Sequence, residues 1–513
     1  MSLEVKAIGG RFYLYEVQYS WDRKKGRSRK RTVRYLGPCD PAGKLLRRPR
    51  IATEALRAVE PVGAPAALYA QAVDLDVVRV AEETLGLSRR TAAFLLALAI
   101  DAATGPRAPG VLESWVARGP LSWWEPSLRG ASLGPLMTEL REKLHPGTHA
   151  EGPSPRAAFE AGLTRAWTSR ALVPEPPGAF VEARAPEGPG VDGSESSPPA
   201  YGVVLSRASL LPMSILPVEA GLAGRDLPAL MGALRGALPR GTPLVEVLPI
   251  PTEGSLSEVV QAGLHVVGSL GGASKEVWKF TGRQAAVLAQ GPPLSIVGPR
   301  GGLLAYDLEE SVMGHRLRLG VLEDPGWRER ERWERASLLA EWSAPIPDAL
   351  RPALARELEG ALASARGRRG ARMDPEKIRE VQERDGRWVV FSTDLRVDVP
   401  SMIQLLERRR ILQRILRGPS VAVEPWKLRY GAVTLWELGA TIGFLASLLW
   451  GWAERRLRTD RPEASLETVL EALGGVSAVG WSSKRTGLSW FAPLGADEER
   501  LLRALGATSY IPR

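Results

Sequence analysis

The chain has 513 residues, a hydrophobic content of 44% and a formal charge of +10 at pH 7. That length predicts about two to four domains with sizeable cores, and that apolar content excludes a chain disordered throughout. The single cysteine, Cys39, excludes disulfides within the chain and points to a reducing cytoplasm. The four histidines, His145, His149, His265 and His315, lack the spacing of a zinc site.

Met1–Gly10 lacks the apolar run of a secretory signal. Residues 1–50 hold fourteen Lys/Arg against four Asp/Glu, so the first tenth of the chain carries the whole positive excess. A localised basic segment is the electrostatic footprint of a polyanion binder. Arg11–Trp21 alternates and is rich in aromatics, which predicts a strand; Asp22–Arg27 is a turn and Ser28–Gly37 a second strand. The tip and second strand carry Arg23, Lys24, Lys25, Arg27, Arg29, Lys30, Arg31 and Arg34, eight cations in twelve residues. Such a ribbon enters a major groove or lies along phosphates. The plainer alternative is a charged edge strand that resists aggregation, for which so many cations are more than is needed. Tyr13, Tyr15, Tyr19 and Trp21 either pack the hairpin or stack on bases.

Residues 51–150 read as a helical domain. It opens with two short helices in Pro65–Leu87. Ser88-Arg89-Arg90 then leads into the apolar helix Thr91–Ala103, and Val111–Ala117, Leu121–Trp124 and Pro135–Leu144 follow. Pro153–Thr168 is another helix, and Pro174–Pro199, rich in Pro, Gly and Ser, reads as a loop or an imperfect strand pair. Ala200–Ser206 and Leu211–Val218 are strands, Leu227–Leu238 a helix, Pro243–Pro249 a strand, Leu256–Ala262 a helix and Leu264–Leu270 a strand. This β-β-α-β-α-β order predicts a mixed sheet covered by helices, of class α/β (α+β). Trp278–Val321 reads as a β-rich insertion. Asp324–Trp342 and Pro347–Ala365 read as long charged helices, Gly367–Arg372 as a basic linker and Trp388–Ser392 as a strand.

Ser401–Arg417 then predicts a helix with Ser401 as N-cap and Gly418-Pro419 as its stop. Met402, Leu405, Leu406, Leu412 and Leu416 form its apolar stripe, with Arg409 and Gln413 along it. Arg408, Arg409, Arg410, Arg414 and Arg417 either line a nucleic-acid channel or pair with Glu407 and other acids. In the apolar helix Val433–Arg458, the stretch Leu438–Ala453 is shorter than the roughly 20 residues of a membrane span. It also carries Gly439, Gly443 and Gly451, so a buried core helix is expected and no membrane partner. A small unit, Ser465–Arg513, ends the chain.

Taken in order, these parts resemble the DDE transposases of insertion sequences, in the class with a β-rich insertion in an RNase H-like core. The resemblance runs over nearly the whole chain. It is carried by the Phe12–Tyr15 to Arg34–Gly37 hairpin, Leu95–Ile100, Tyr201–Leu205, and Trp388–Arg417 followed by the long apolar helix. It implies a basic β-hairpin region at 1–50, a helical domain at 51–150 and the first part of an RNase H-like core at 151–275. The β-rich insertion and helix would span 276–346, the rest of the core 347–460 and a small C-terminal unit 461–513.

In that family three carboxylates hold two Mg²⁺ ions for DNA cleavage and joining. The family's last acid lies in a helical signature: Tyr, two residues, Arg, three residues, Glu, six residues, Lys. The corresponding positions here are Leu406, Arg409, Gln413 and Ser420, so the glutamate position holds an amide. The second acid should end Val245–Pro251, where Glu246 and Glu253 stand, and the first should follow Ala179-Phe180-Val181, where Glu182 stands. The expectation is a transposase-derived protein that binds DNA rather than RNA, has lost cleavage, has no cofactor and is cytoplasmic or nucleoid-associated. The resemblance also implies a homodimer, with Arg409 among the nucleic-acid contacts. Two alternatives stay open: an active Mg²⁺-dependent transposase using Glu182, Glu246 or Glu253, and a structural or RNA-associated protein.

Overall fold

Alternating aromatic and polar residues build the first sheet. The computed structural model describes all of the chain except residues 1, 9–10, 23–25, 44–55, 108, 145–153, 172–175, 184–199, 219–226, 228–230, 233, 235–236, 249–250, 271–292, 299–300, 344–381, 383–384, 431, 462–463, 483–486, 492–493 and 512–513. The helix expected at 347–365 and the basic linker at 367–372 therefore lie outside the described residues. Arg11–Asp22 (β2) and Arg27–Cys39 (β3) form the expected hairpin. A further strand, Ser2–Ile8 (β1), pairs antiparallel with the other edge of β2. Leu3, Val5 and Ala7 alternate there with Glu4 and Lys6, a period-two signal only seven residues long. A second three-stranded sheet joins Leu56–Pro61 (β4) to strands from near the C-terminus, β14 (Ser477–Ser482) and β15 (Gly487–Phe491). These two sheets make one unit, residues 1–60 with 477–492; residues 61–476 with 493–513 make the other.

The larger unit holds a nine-stranded mixed sheet, so the class is α/β as expected. Pro177–Ala183 (β5), Ala200–Ser206 (β6) and Pro212–Val218 (β7) form an antiparallel meander. Pro243–Val245 (β8) runs parallel to β5, and His265–Leu270 (β9) parallel to β8. Leu294–Gly298 (β10), Gly301–Val312 (β11), His315–Glu323 (β12) and Arg387–Ser392 (β13) continue the sheet antiparallel beyond β9. The order is β10-β11-β12-β13-β9-β8-β5-β6-β7, so the described strands of the expected β-rich insertion extend one sheet. β5 corrects the reading of 174–199 as a loop or imperfect pair, because it stands between the meander and the parallel strands. Its Ala179, Phe180 and Val181 are fully buried. A strand buried on both faces is an apolar run without alternation, and here Pro and Gly flanks mask that run.

Helices cover the sheet on both faces. Phe180, Leu244, Val266 and Phe391 share a core with Leu256 and Val259 of α8 (Glu253–Gln261). The other face meets α10 (Val399–Tyr430), which packs across β5, β8, β9 and β13. Behind it lie α11 (Ala432–Asp460) and α3 (Arg89–Thr104). Among the described residues, the remaining α-helices are α1 (Gly63–Asp74), α2 (Val77–Leu85), α4 (Pro109–Arg118), α5 (Leu121–Trp124), α6 (Leu133–Leu144), α7 (Pro155–Ala171), α9 (Pro325–Ser343), α12 (Leu466–Leu473) and α13 (Ala496–Ala504). Leu438–Ala453 of α11 is buried throughout, and among the described residues no helix is long and apolar enough to cross a membrane.

Two boundaries of α10 differ from expectation. Asp398 caps the helix rather than Ser401, with Ser401 N–H donating to Asp398 Oδ1 at 2.9 Å. The helix also runs through Gly418 and Pro419 to Tyr430, past a local stop signal that is only a weak prior. Its start presses on the sheet so closely that a Cβ on Gly320 would lie 2.7 Å from Val399 Cγ1, which requires glycine there.

A buried ion cluster ties α7 to α11 and β7. Arg156 donates to Glu160 (2.6 Å), to Glu437 (2.6 Å) and to the Ile215 carbonyl (2.5 Å), while the Ile215 N–H donates to Glu160 (3.2 Å). Burial pushes the Glu160 carboxyl up to about 7 against the pull of Arg156. The folded chain thus holds that proton more tightly than the unfolded chain, so this group's contribution to stability falls as pH rises from the ordinary carboxylate range to about 7. Arg156→Ala leaves buried carboxylates unpaired and is expected to cost about 3–5 kcal/mol near pH 8. The loss should be smaller at pH 5, where Glu160 is protonated. Urea unfolding at the two pH values measures this, and equal losses at both would show that Glu160 does not titrate in the fold.

Candidate functional site

The charge of the first fifty residues is organised by the register of the hairpin. β3 carries extra residues at two points, between the partners of Leu14 and Tyr15 and between those of Glu16 and Val17. Below them the register runs Arg31 opposite Gln18, Lys30 opposite Tyr19, Arg29 opposite Ser20, Ser28 opposite Trp21 and Arg27 opposite Asp22. Opposed residues share a face and successive residues alternate. Arg27, Arg29 and Arg31 therefore stand on one face of the ribbon, and Tyr19, Trp21, Ser28 and Lys30 on the other. The shift at Val33 puts Arg34, opposite Glu16, on the arginine face as well. Without it, residues 31 and 34 would fall on opposite faces. The expected tip cations Arg23, Lys24 and Lys25 lie outside the described residues.

Lys30 differs from its arginine neighbours. It reaches across β2 to Glu4 on β1, over the fully buried Val17. The hydrogen bond that Lys30 donates to Glu4 is the main cause that raises the Lys30 amine above its ordinary range. Lys6 lies over the Tyr15 ring, 4.7 Å from its centroid. Tyr19 and Trp21 are exposed, at 56% and 67%.

In the larger unit, the ends of the parallel strands make a polar notch. Val181 pairs with Val245 in parallel register, so Glu182 and Glu246 are the next residues on adjacent strands. The carboxyl ends of parallel strands in open sheets are where ligands bind. The Glu182 side chain lies outside the described residues. Glu246 leaves the strand in the left-handed region, at φ 47°, a conformation that costs a non-glycine residue roughly 1–2 kcal/mol. Its N–H donates to the Val267 carbonyl (2.7 Å). Its carboxylate accepts from Ser269 Oγ (2.5 Å) and from Arg409 of α10 (2.6 Å). Gln413, one helical turn beyond Arg409, is half-buried. Glu253 stands apart: its side chain lies at the β11–β12 turn, against Gly314, and its carbonyl faces the His315 ring.

The other described arginines of α10 are also committed to acids. Arg408 pairs with Glu454 at 2.7 Å. Arg410 pairs with Glu407 (3.0 Å) and Glu467 (2.9 Å). Arg414 pairs with Glu467 and lies over the Trp450 ring at 4.7 Å. Of the two readings of this basic run, internal pairing accounts for Arg408, Arg409, Arg410 and Arg414. The partners lie 46 to 163 residues away for Arg408 and Arg409, which no local pattern predicts. Ser269 carried no sequence signal, because a serine on a buried strand reads as a neutral filler.

Mg²⁺, the ion implied by the transposase resemblance, requires several hard, anionic oxygen ligands. The described contacts at the notch join one carboxylate, Glu246, to the Ser269 hydroxyl and to the Arg409 guanidinium. These described donors by themselves do not fit the ion.

Compared with family models, curated proteins and solved structures, the chain matches none.

Arg409 and Glu246 are each about a fifth exposed, so their contact is only partly screened by solvent. Arg409→Ala is expected to destabilise the fold by about 1–3 kcal/mol by leaving the carboxylate short of a partner. Glu246→Gln in the Arg409→Ala background should add little. Denaturant midpoints of the two single variants and the double variant measure the coupling, and additive losses would show that the pair is not an interacting unit.

Proposed function

We propose that this protein binds nucleic acid, DNA rather than RNA, through the arginine face of its N-terminal ribbon, on an RNase H-like scaffold of transposase type that no longer cleaves. The observation that carries the binding is the placement of Arg27, Arg29, Arg31 and Arg34 on one face of an antiparallel ribbon in the segment that holds the chain's whole charge excess. A row of arginines neutralises successive phosphates and releases their counterions. The choice of DNA, and of the scaffold's family, rests on the resemblance. It is supported by a meander extended by two parallel strands and by α10 laid across their ends.

The loss of cleavage is supported by the notch. The position at which the resemblance expects a glutamate is Gln413, and the Glu246 carboxylate is held by Arg409 and Ser269. Arg409 then acts as a structural clamp on the strand end rather than as a phosphate contact. No metal step is assigned to these residues.

Binding is tested by fluorescence anisotropy on duplex DNA across a salt series. The wild-type chain should bind with a steep salt dependence. Replacing Arg27, Arg29 and Arg31 together by alanine should lower the slope of log K against log salt by about 2–3. An unchanged slope would remove the ribbon from the interface, and a higher affinity for duplex RNA would reverse the choice of DNA. Cleavage is tested separately on supercoiled plasmid with Mg²⁺. The wild-type chain and Gln413→Glu are both expected to leave it intact, because Arg409 still engages Glu246 in each. Nicking by the wild type that Glu182→Gln abolishes would restore the enzyme reading.

A further inference from the structure

The two faces of the ribbon are chemically different, and the aromatic one has no use in the phosphate-binding reading. We infer that Tyr19 and Trp21 stack on unpaired bases, so that the ribbon favours nucleic acid with a single-stranded segment over blunt duplex. This rests on the nucleic-acid reading above and names the part of the polymer that each face takes.

Tyr19 and Trp21 stand two residues apart on β2 and therefore on the same side of the strand. That separation is about 7 Å, twice the roughly 3.4 Å rise per nucleotide of a stacked strand. One base fits between the two rings. Both side chains are more than half exposed. Their cross-strand partners are Lys30 and Ser28, which offer no aromatic or β-branched surface to pack against. Lys30, the cation beside the rings, is paired with Glu4, whereas Arg27, Arg29, Arg31 and Arg34 occupy register positions on the opposite face. Exposed ring surface is thus offered on the side away from the arginine row. Base–aromatic stacking tolerates any sequence, because every base has a π-face.

The test compares a labelled blunt duplex with the same duplex carrying a single-stranded dT tail. The wild-type chain is expected to bind the tailed form more tightly. Trp21→Ala should weaken binding of the tailed form about 5- to 100-fold, with the blunt duplex and the salt slope unchanged. Trp21→Phe should restore most of the loss, since it keeps a ring. Trp21 is exposed, and an unchanged urea midpoint checks that each variant is folded. Equal affinity of Trp21→Ala and wild type for the tailed form overturns the stacking assignment alone, as does an equal loss on both substrates. A wild-type chain that binds neither substrate overturns the nucleic-acid reading, and the stacking assignment with it.

Discussion

Burial of β5, β8 and β9 on both faces is the constraint from which the larger unit follows. Phe180, Leu244 and Val266 point into one layer while Val181, Val245 and Val267 point into the other, and all are at most 1% exposed. Parallel strands of this kind are stable only with cover on both sides. α8 supplies one cover and α10, backed by α11 and α3, the other. The place where α10 lands is fixed by Gly320, where the missing Cβ admits Val399. Once that contact is made, Arg409 reaches Glu246 at the ends of the parallel strands.

That landing decides the electrostatics of the notch. Glu246 is turned out of its strand in a strained conformation, and its carboxylate is met by Arg409 and Ser269. Strain of this kind persists only where the surroundings over-determine it. The other described arginines of α10 follow the same pattern, with Arg408, Arg410 and Arg414 each answered by an acid from α11 or α12 or from α10 itself. The basic run Arg408–Arg414, which looks like a cationic surface by composition, is compensated in three dimensions. The proposed polyanion surface therefore falls on the ribbon, whose arginines are drawn to one face by the added residues in β3.

Much of the fold was legible in the sequence. The hairpin, the strands at 200–206, 212–218 and 387–392, and the apolar helix after 432 follow from alternation, apolar runs and caps, which are local physics. β5 was obscured because the Pro and Gly around it dominate its window, while the property that makes it a strand is burial against neighbours distant in the chain. The end of α10 lies beyond its Gly-Pro signal, because such a stop is a local preference and not a rule.

The candidate site divides along the same line. The sequence by itself determined that the positive charge sits in the first fifty residues, that Arg409 and Gln413 lie one turn apart on a helix, and that Glu182 follows an apolar run while Glu246 stands inside one. These are facts of composition and spacing. Only the tertiary structure decided that Glu246 belongs to Arg409, 163 residues away, and that Lys30 belongs to Glu4 and the ring face rather than to the arginine row. The physical reason is that charge is counted along the chain, whereas pairing depends on strand register and on the face a helix presents, and both are set by contacts remote in sequence.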